Sequence, residues 1–258
     1  MTPRPASAVI LAAGMGTRLR GVFSDRPKGF IEIGGESLIA RSLRLLFERG
    51  IERVVIVAGH LGQAYHALAE SDPRIRVVDN ADFASTGSMA SLAIGIEAIE
   101  QGDFLVLESD LFYEERALDA LLASPDRDAL LVSGPTGATD EVFVDAPAGR
   151  LLGLSKDRAA LGAVCGELVG LLRCSEALGE RMCEAFSRFE RTKGHGQMAY
   201  ETDALVEVAG SWPVAICLVP DLLWGEVDYE QHYLRVRDEV WPAWRARSGE
   251  PGPDLGSA

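Results

Sequence analysis

The stretch Ser7-Ala-Val-Ile-Leu-Ala-Ala-Gly-Met-Gly-Thr-Arg-Leu19 contains the pattern that decides the fold. Its first six residues form a short, continuous apolar run, which is typical of a strand buried on both faces of a parallel sheet. A glycine-rich loop follows at once, and Gly14 and Gly16 give it the conformational freedom of a tight turn. Such a turn lies at the carboxyl end of its strand, where backbone N–H groups are able to bind a polyphosphate. The stretch therefore predicts a strand followed by a phosphate-binding loop.

Strands and helices alternate over the rest of the first half of the chain. Helical spacing of apolar residues predicts helices over residues 37–49, 61–70 and 88–100, the first capped by Ser37. Short apolar runs predict strands over residues 53–58, 75–78 and 104–108. Because parallel strands joined by helices need right-handed crossovers, the alternation predicts an α/β protein with a mainly parallel sheet.

The second half of the chain contains more strands and fewer helices. Strands are predicted over residues 129–133, 141–145, 150–154, 167–173 and 214–219, and helices over 175–190, 200–208 and 229–240. Pro242 is expected to end the last helix. We expect one domain over residues 1–247, followed by a polar, Gly- and Pro-rich tail over 248–258 that is predicted to be disordered.

Composition and charge narrow the classes of function. A formal net charge of −14 argues against nucleic-acid binding, which relies on clustered lysines and arginines. No apolar run approaches the roughly 20 residues that a membrane span needs, so a cytoplasmic protein that does not bind membranes is expected. The four cysteines form no CxxC pair, which indicates mostly buried, reduced thiols. The sequence does not reveal the oligomeric state and leaves a homodimer open.

Two cations accompany the loop. Arg18 lies within it, and Lys28 follows ten residues later, so that both side chains are able to converge on one triphosphate. Only three of the 25 basic residues are lysines, namely Lys28, Lys156 and Lys193. The alternative interpretation is that Arg18 and Lys28 are solvated surface cations.

LAAGMGTRL at residues 11–19, followed by RPKGFIEIGG at 26–35, resembles the signature of the nucleotidyltransferases that activate sugar phosphates and alcohol phosphates with NTPs. The resemblance continues to Ser109-Asp110 and resumes at Gly225-Glu-Val-Asp228, so it covers most of the chain. It implies a Rossmann-like mixed, mostly parallel sheet flanked by helices. It also implies that the nucleotide contacts Lys28 and the loop residues Leu11, Ala12, Ala13, Gly14, Met15, Gly16, Thr17 and Arg18.

Two aspartates are candidate metal ligands. Asp110 follows the apolar strand at 104–108, and Asp228 lies between a predicted strand and the last predicted helix. The alternative for each is a helix cap, but the pair resembles the family's two carboxylates that hold Mg²⁺ on the triphosphate, with Asp110 also in the nucleotide site. Magnesium prefers carboxylate and phosphate oxygens, which suits two aspartates and a nucleotide. Glu226, two residues before Asp228, is a third and weaker candidate.

The acceptor end is less specific in sequence. The resemblance implies that Lys156 contacts the acceptor's phosphate, although a surface ion pair with Asp157 is the alternative. A cationic head group would need carboxylates and aromatic faces. The candidates for that role are otherwise solvated acids or core aromatics, and they are Asp140, Glu141, Tyr200, Glu201, Trp224 and Glu226.

A small-residue segment precedes the helix predicted over 88–100. Thr86, Gly87 and Ser88 have small side chains and backbone donors that suit close approach of a base and ribose. The alternative is an ordinary helix start with Ser88 as its cap. The resemblance favours binding of the base.

Within the family, the chain is most similar to cytidylyltransferases acting on phosphocholine or 2-aminoethylphosphonate. This implies transfer of CMP from CTP to a small phosphate or phosphonate acceptor, with release of pyrophosphate. No enzyme nucleophile is needed, so Arg18, Lys28 and Lys156 would act with Mg²⁺ by positioning and charge neutralisation. Two alternatives stay open: a sugar-1-phosphate nucleotidyltransferase using UTP, dTTP or GTP, and an inactive nucleotide-binding regulator.

Overall fold

The computed structural model describes residues 3–19 and 26–249 of the chain. Residues 250–258 of the predicted tail therefore lie outside the described residues. In chain order the strands are β1 (Ser7–Ala12), β2 (Glu32–Ile33), β3 (Glu36–Ser37), β4 (Arg53–Ala58), β5 (Ile75–Asp79), β6 (Phe104–Glu108), β7 (Leu111–Tyr113), β8 (Ala129–Ser133), β9 (Phe143–Asp145), β10 (Gly153–Ser155), β11 (Val164–Cys174), β12 (Ala215–Val219) and β13 (Trp224–Glu226).

The helices flank these strands and alternate with them in the first half of the chain. They are α1 (Leu38–Glu48), α2 (Gln63–Ser71), α3 (Ser88–Ala98), α4 (Arg116–Ala123), α5 (Glu176–Lys193), α6 (Glu201–Ala209), α7 (Glu230–Arg235) and α8 (Trp241–Ser248). Short 3₁₀ turns occur at Thr17–Leu19, Lys28–Phe30, Pro147–Gly149 and Arg158–Ala160.

Nine strands form the central sheet, in the order β10-β9-β11-β6-β1-β4-β5, with β8 on β11 and β12 on β8. Strand β1 lies parallel to both β4 and β6, and β4 lies parallel to β5. Strand β11 is antiparallel to β6, β8 and β9, while β12 is parallel to β8 and β10 is antiparallel to β9. Seven of the nine strands therefore run in one direction, against β10 and β11. This confirms the mixed, mostly parallel sheet.

Both faces of β1 are buried, as its apolar run predicts. Ala8 and Ile10 pack in one core with Ile39 of α1. Val9, one residue along, packs on the opposite face with Met89 of α3. Because alternate side chains of a strand point to opposite faces, one apolar run supplies two cores. The loop after β1 is thereby fixed at the edge of a rigid sheet.

The first helix begins at its predicted cap, whereas the predicted end of the last helix is not observed. Helix α1 begins after Ser37, whose hydroxyl accepts a hydrogen bond from the N–H of Ala40. The predicted end at Pro242 is wrong, because α8 continues through that residue to Ser248. A π-helical turn at Val236–Val240 precedes it, and the N–H of Trp241 bonds the carbonyl of Val236. This wider turn makes room for the proline ring inside a continuous helix.

Other predicted boundaries also need correction. The strand expected over 150–154 is β10, which begins only at Gly153 because the 3₁₀ turn Pro147–Gly149 comes first. Helix α4 and the short strands β7 and β13 were not predicted. All four cysteines are free thiols, but only Cys174 is buried and the other three are partly exposed. No helix in the described residues, 3–19 and 26–249, is long and apolar enough to cross a membrane.

Candidate active site

The loop after β1 forms the floor of a cavity at the carboxyl edge of the sheet. Gly16 has a φ of +58°, a conformation that favours glycine, and its carbonyl accepts a hydrogen bond from the N–H of Leu19. The cavity has a volume of about 310 Å³, and the loop residues on its wall are Leu11, Ala12, Ala13, Gly14 and Arg18. A backbone turn of this kind at a strand end is suited to a phosphate chain.

Two distant segments bring the predicted aspartates together. Strands β7 and β13 pair antiparallel, with Glu226 opposite Leu111, and the N–H of Val227 bonds the carbonyl of Asp110 at 2.9 Å. Asp228 therefore lies beside Asp110, although 118 residues separate them in sequence. The pairing of two short strands, rather than a helix end, positions both carboxylates. The alternative that Asp110 caps a helix is wrong, since β7 follows it.

Lys28 joins the two aspartates. Its Nζ donates to Oδ2 of Asp110 at 2.7 Å and also to Oδ1 of Asp228. Arg18 donates from Nη1 to Oδ2 of Asp228 at 2.9 Å. Burial opposes the charge on Lys28, but the two aspartates outweigh it and raise the pKa of the lysine. Burial likewise opposes ionisation of Asp228, yet Lys28 and Arg18 lower the pKa of that carboxyl, so the group is an ion-paired network.

A cluster of carboxylates continues from this network. One oxygen from each of Glu108, Asp110 and Glu226 lies within 4.8 Å of the others. Burial, followed by the nearby Asp110 and Asp228, raises the pKa of Glu226 to about 8. Burial and Glu226 raise the pKa of Glu108 well above its usual value. The wall thus has more carboxyl groups than can ionise together without a cation.

These residues fit a divalent metal. Lys28 already holds a positive charge between Asp110 and Asp228, which demonstrates that both carboxylates reach one cation. Oxygen ligands of this type, few in number, are what Mg²⁺ accepts alongside phosphate oxygens. Glu226 is close enough to Asp110 to add a further oxygen.

A second cavity, of about 370 Å³, adjoins the first. Both are lined by Arg18, Glu108, Tyr200, Glu226 and Asp228. Every residue predicted to contact the acceptor lines the second cavity, and these are Asp140, Glu141, Lys156, Tyr200, Glu201, Trp224 and Glu226. The structure therefore places the predicted nucleotide and acceptor residues in two cavities with a common wall.

Strand β11 creates the space for the second cavity. Its ladder with β9 ends at Glu167, and its ladder with β6 on the same side begins only at Leu171. The intervening residues, Leu168, Val169 and Gly170, line the cavity. β9 and β6 therefore pair with separate parts of β11, and the stretch of β11 between them opens the sheet at the second cavity.

The segment predicted to bind the base lies on the first cavity, but its backbone donors are already used. Thr86, Gly87 and Ser88 line the wall. The N–H groups of Gly87 and Ser88 donate, at 3.3 Å each, to the carbonyls of Gly196 and Ala199. The alternative of Ser88 as a cap is also wrong, because Gly87 is the N-cap and the Ser88 hydroxyl bonds Glu201.

The remaining predicted residues are spread more widely. Met15 and Gly16 line a small neighbouring pocket with Lys28, and the side chain of Thr17 lies outside what the structure describes. Lys156 is exposed and makes no ion pair with Asp157, whose carboxylate instead bonds the N–H of Ala159. The surface ion pair considered for Lys156 is therefore absent from the described part of the chain.

Three polar residues of the two cavities were missed or set aside by sequence reasoning. Glu108 is the last residue of an apolar strand. Its position two residues before Asp110 is the only sequence feature that indicates a role. Glu167 is buried and accepts from both the N–H and the hydroxyl of Thr136, at 2.9 and 2.7 Å. His232 is buried on the wall of the second cavity.

Comparison with known proteins identifies the family to which the chain belongs. A model of the MobA-like NTP transferase domain matches residues 8–210. The chain is 34% identical over 235 residues to the CMP-5'-(3-aminopropyl)phosphonate synthase of Streptomyces rubellomurinus, a match covering 87% of this chain and 37% of that protein. The chain thus spans little more than a third of that relative.

A second relative and one solved structure agree with this match. The 2-aminoethylphosphonate cytidylyltransferase of Lancefieldella rimae is 26% identical, over 76% of this chain and 77% of that protein. The structure of the inositol-1-phosphate CTP transferase from T. maritima superimposes with a TM-score of 0.79 and 20% identity, covering all of both chains. At that identity the superposition supports the fold alone.

Proposed function

Because the chain belongs to the family of MobA-like NTP transferase domains, we propose that it transfers CMP from CTP to a small phosphonate or phosphate acceptor bearing a cationic head group. The observation that carries the proposal is the common wall of the two cavities, which includes Asp228, together with the bridge that Lys28 makes from Asp228 to Asp110 in the first cavity. The relatives that transfer CMP to aminoalkyl phosphonates support the choice of nucleotide and acceptor.

The nucleotide occupies the first cavity in this proposal. Its triphosphate lies on the loop from Leu11 to Arg18, where backbone N–H groups and the two cations Arg18 and Lys28 compensate its charge. Asp110 and Asp228 hold Mg²⁺, with Glu226 as a further oxygen donor. Bound there, the metal would supply neutralisation of the triphosphate charge as the leaving group departs.

The reaction then needs positioning more than proton transfer. An oxygen of the acceptor's phosphonate or phosphate attacks the α-phosphorus of CTP, the bond to the β-phosphate oxygen breaks, and pyrophosphate leaves toward the loop. The acceptor oxygen is already anionic near neutral pH, so no enzyme base is required. Lys28 and Arg18 stabilise the negative charge on the phosphates, and Lys156 orients the acceptor's phosphonate.

The charge of the second cavity supports a cationic acceptor. Eight carboxyl residues line it against three cations: Glu108, Asp140, Glu141, Glu167, Glu201, Asp203, Glu226 and Asp228, with Arg18, Lys156 and Arg235. The raised pKa values of Glu108, Glu201 and Glu226 favour their protonated forms, but the other five carboxyl residues still outnumber the three cations. An acceptor with a purely anionic or neutral head group would leave that excess negative charge uncompensated. An ammonium group opposite the phosphonate matches it, whereas the hydroxyl groups of a sugar phosphate do not.

The experiment is pyrophosphate release from the purified protein with Mg²⁺, CTP and 2-aminoethylphosphonate, with the CMP adduct identified by mass spectrometry. Lys28→Ala and Asp110→Ala should each lower the rate by about 100-fold or more, the scale of losing a transition-state charge partner. Lys193→Ala removes an exposed lysine outside both cavities and is the matched control. Unchanged rates in both site variants would sink the proposed roles.

Substrate panels distinguish the proposed function from the two alternatives. UTP, dTTP and GTP with sugar 1-phosphates test the alternative of a sugar-1-phosphate nucleotidyltransferase, and preference for any of those pairs over CTP with the phosphonate contradicts the proposal. An inactive regulator would bind CTP in a thermal-shift assay without releasing pyrophosphate.

A further inference from the structure

His232 is a buried polar residue without a hydrogen bond. It lies on α7 with 4% of its surface exposed. It lines the second cavity, here called the acceptor cavity, whereas the first is the nucleotide cavity. Neither Nδ1 nor Nε2 has a hydrogen-bond partner within the described part of the chain. The nearest charged group is Asp140, whose Oδ1 lies 3.4 Å from Nε2 without forming a hydrogen bond.

Packing holds the ring in this position. The ring of Tyr229 meets it edge to face, with centroids 5.0 Å apart and planes at 79°. One turn further on, Arg235 donates to the carbonyls of Trp224 and Thr136 at 3.5 and 3.4 Å. The imidazole is therefore fixed by its neighbours while its polar atoms stay unused.

A buried, unpaired imidazole is costly unless a ligand completes its hydrogen bonds. Leaving a buried donor or acceptor unsatisfied destabilises the folded state, so such groups usually have a partner. A neutral imidazole offers one donor and one acceptor nitrogen, and Asp140 offers acceptor oxygens only. A group with several N–H donors would satisfy the acceptor nitrogen and the carboxylate together.

The pair lies away from the nucleotide. His232 and Asp140 line the acceptor cavity but not the nucleotide cavity, whereas Arg18 and Asp228 line both. Glu167, also on this wall, already accepts two hydrogen bonds from Thr136, so Asp140 is the carboxylate next to His232 with the freer oxygens. An acceptor whose phosphonate lies at the common wall would direct its other end toward this pair.

From this we infer that His232 and Asp140 form a specificity site that selects a primary ammonium head group over a quaternary one. The inference rests on the proposed function and narrows its acceptor class. A primary ammonium donates one N–H to the imidazole and another to Asp140. A trimethylammonium group has no N–H, so it would leave His232 unpaired in a cavity that it fills.

The aromatic side chains of the cavity are less suited to a quaternary group. Recognition of such a cation uses several aromatic faces around it. Two such side chains, Tyr200 and Trp224, line the cavity, and 55% of Tyr200 is exposed. Eight carboxyl residues line the same cavity, so hydrogen-bond acceptors outnumber aromatic faces on its wall.

The test compares 2-aminoethylphosphonate with its N,N,N-trimethyl derivative, using pyrophosphate release at saturating CTP and Mg²⁺. The unsubstituted protein should favour the primary amine by about tenfold or more in kcat/KM. His232→Phe keeps a ring against Tyr229 but removes both nitrogens, and should reduce that preference to about threefold or less. His232→Gln retains a donor and an acceptor and should restore most of the preference.

Two further variants distinguish a change in acceptor specificity from a folding defect. His66→Phe alters a partly exposed histidine that contacts Asp79 outside the cavity. It should leave the preference for the primary amine unchanged. Asp140→Ala, at a partly exposed position, should raise the KM for the primary amine by about tenfold while the KM for CTP is unchanged. If His232→Phe does not fold, Asp140→Ala decides, and an unchanged KM overturns the inference.

Failure of the inference and failure of the proposed function give different results. Turnover with an unaltered preference in His232→Phe, or a preference for the trimethyl compound in the unsubstituted protein, overturns the specificity site alone. No pyrophosphate release by the unsubstituted protein with CTP and either acceptor overturns the proposed function and the inference together.

Discussion

The nucleotide loop and the acceptor wall are built in different ways. The loop is one continuous stretch, residues 11–19, completed by Lys28. The acceptor wall is the lining of the second cavity. Apart from Arg18 and Glu108, it takes its polar residues from segments between Thr136 and Arg235 that meet only in the folded chain. Binding a triphosphate needs backbone N–H groups, which one turn supplies, whereas a head group must be surrounded by side chains from several directions. Specificity for the acceptor therefore lies in the part of the chain with the weaker sequence signal.

Removal of the divalent metal should have the largest effect on this pair of regions. Chelation with EDTA is expected to lower pyrophosphate release by about 1,000-fold, because Asp110 and Asp228 would no longer connect the protein to the triphosphate. Excess Mg²⁺ should restore the rate. Full activity in EDTA would contradict the metal role of the two aspartates and leave Lys28 as their functional partner.

Gly87→Ala should destabilise the wall of the nucleotide cavity. An added Cβ would lie 1.7 Å from the carbonyl oxygen of Met198, so one of two backbone segments must move. We expect a loss of about 2 kcal/mol in the free energy of unfolding, measured by urea denaturation. Gly210→Ala is the control, since its Cβ would meet no atom closer than 3.4 Å and should change stability by about 0.5 kcal/mol or less. Equal stability of the two variants would refute the close packing at Gly87.

Lys156→Ala tests the acceptor wall apart from the loop. The side chain is exposed and has no ion pair in the described residues, so its loss should not affect folding. The KM for the phosphonate should rise by about tenfold, while the KM for CTP stays constant. Arg158→Ala removes a neighbouring exposed cation that does not line the cavity and should change neither value. A rise in the KM for CTP instead would place Lys156 with the nucleotide.

Gly14→Ala should have the smallest effect and separates two reasons for a glycine. Gly14 has no atom within 4 Å of an added Cβ and no positive φ, in contrast to Gly16. Stability should therefore change by about 0.5 kcal/mol or less, but CTP should bind about fivefold more weakly if the phosphates approach this backbone closely. Unchanged affinity in isothermal titration would show that the phosphates lie elsewhere on the loop.

The sequence predicted the local elements of the site better than the long-range contacts that complete it. β1 and Ser37 follow from local pattern and capping, and Asp110 follows from its position at a strand end. The pairing of β7 with β13 was not predictable, because each strand is only three residues long and its partner is over 100 residues away. His232 was not predicted for a related reason: a lone histidine carries no spacing signal.

Two different causes explain the errors in the helices. Pro242 has a local preference to end a helix, but the π-helical turn before it relieves the clash and α8 continues. Ser88 has a local preference to cap α3, but its hydroxyl instead bonds Glu201 of α6. At Ser88 a long-range contact overrides the local tendency, whereas at Pro242 the conformation of the preceding turn does so.

The separation of β9 from β6 along β11 has a consequence for how this enzyme class could diversify. In the proposed function, space for the acceptor comes from the residues of β11 between Glu167 and Leu171, which pair with neither β9 nor β6. It does not come from small side chains in the hydrophobic core. Changing where the two ladders stop would widen or narrow that opening by whole residues of about 3.3 Å, while the packing of β1 against its helices stayed the same. If the second cavity binds the acceptor as proposed, acceptor size is set by strand register and is open to redesign without rebuilding the interior.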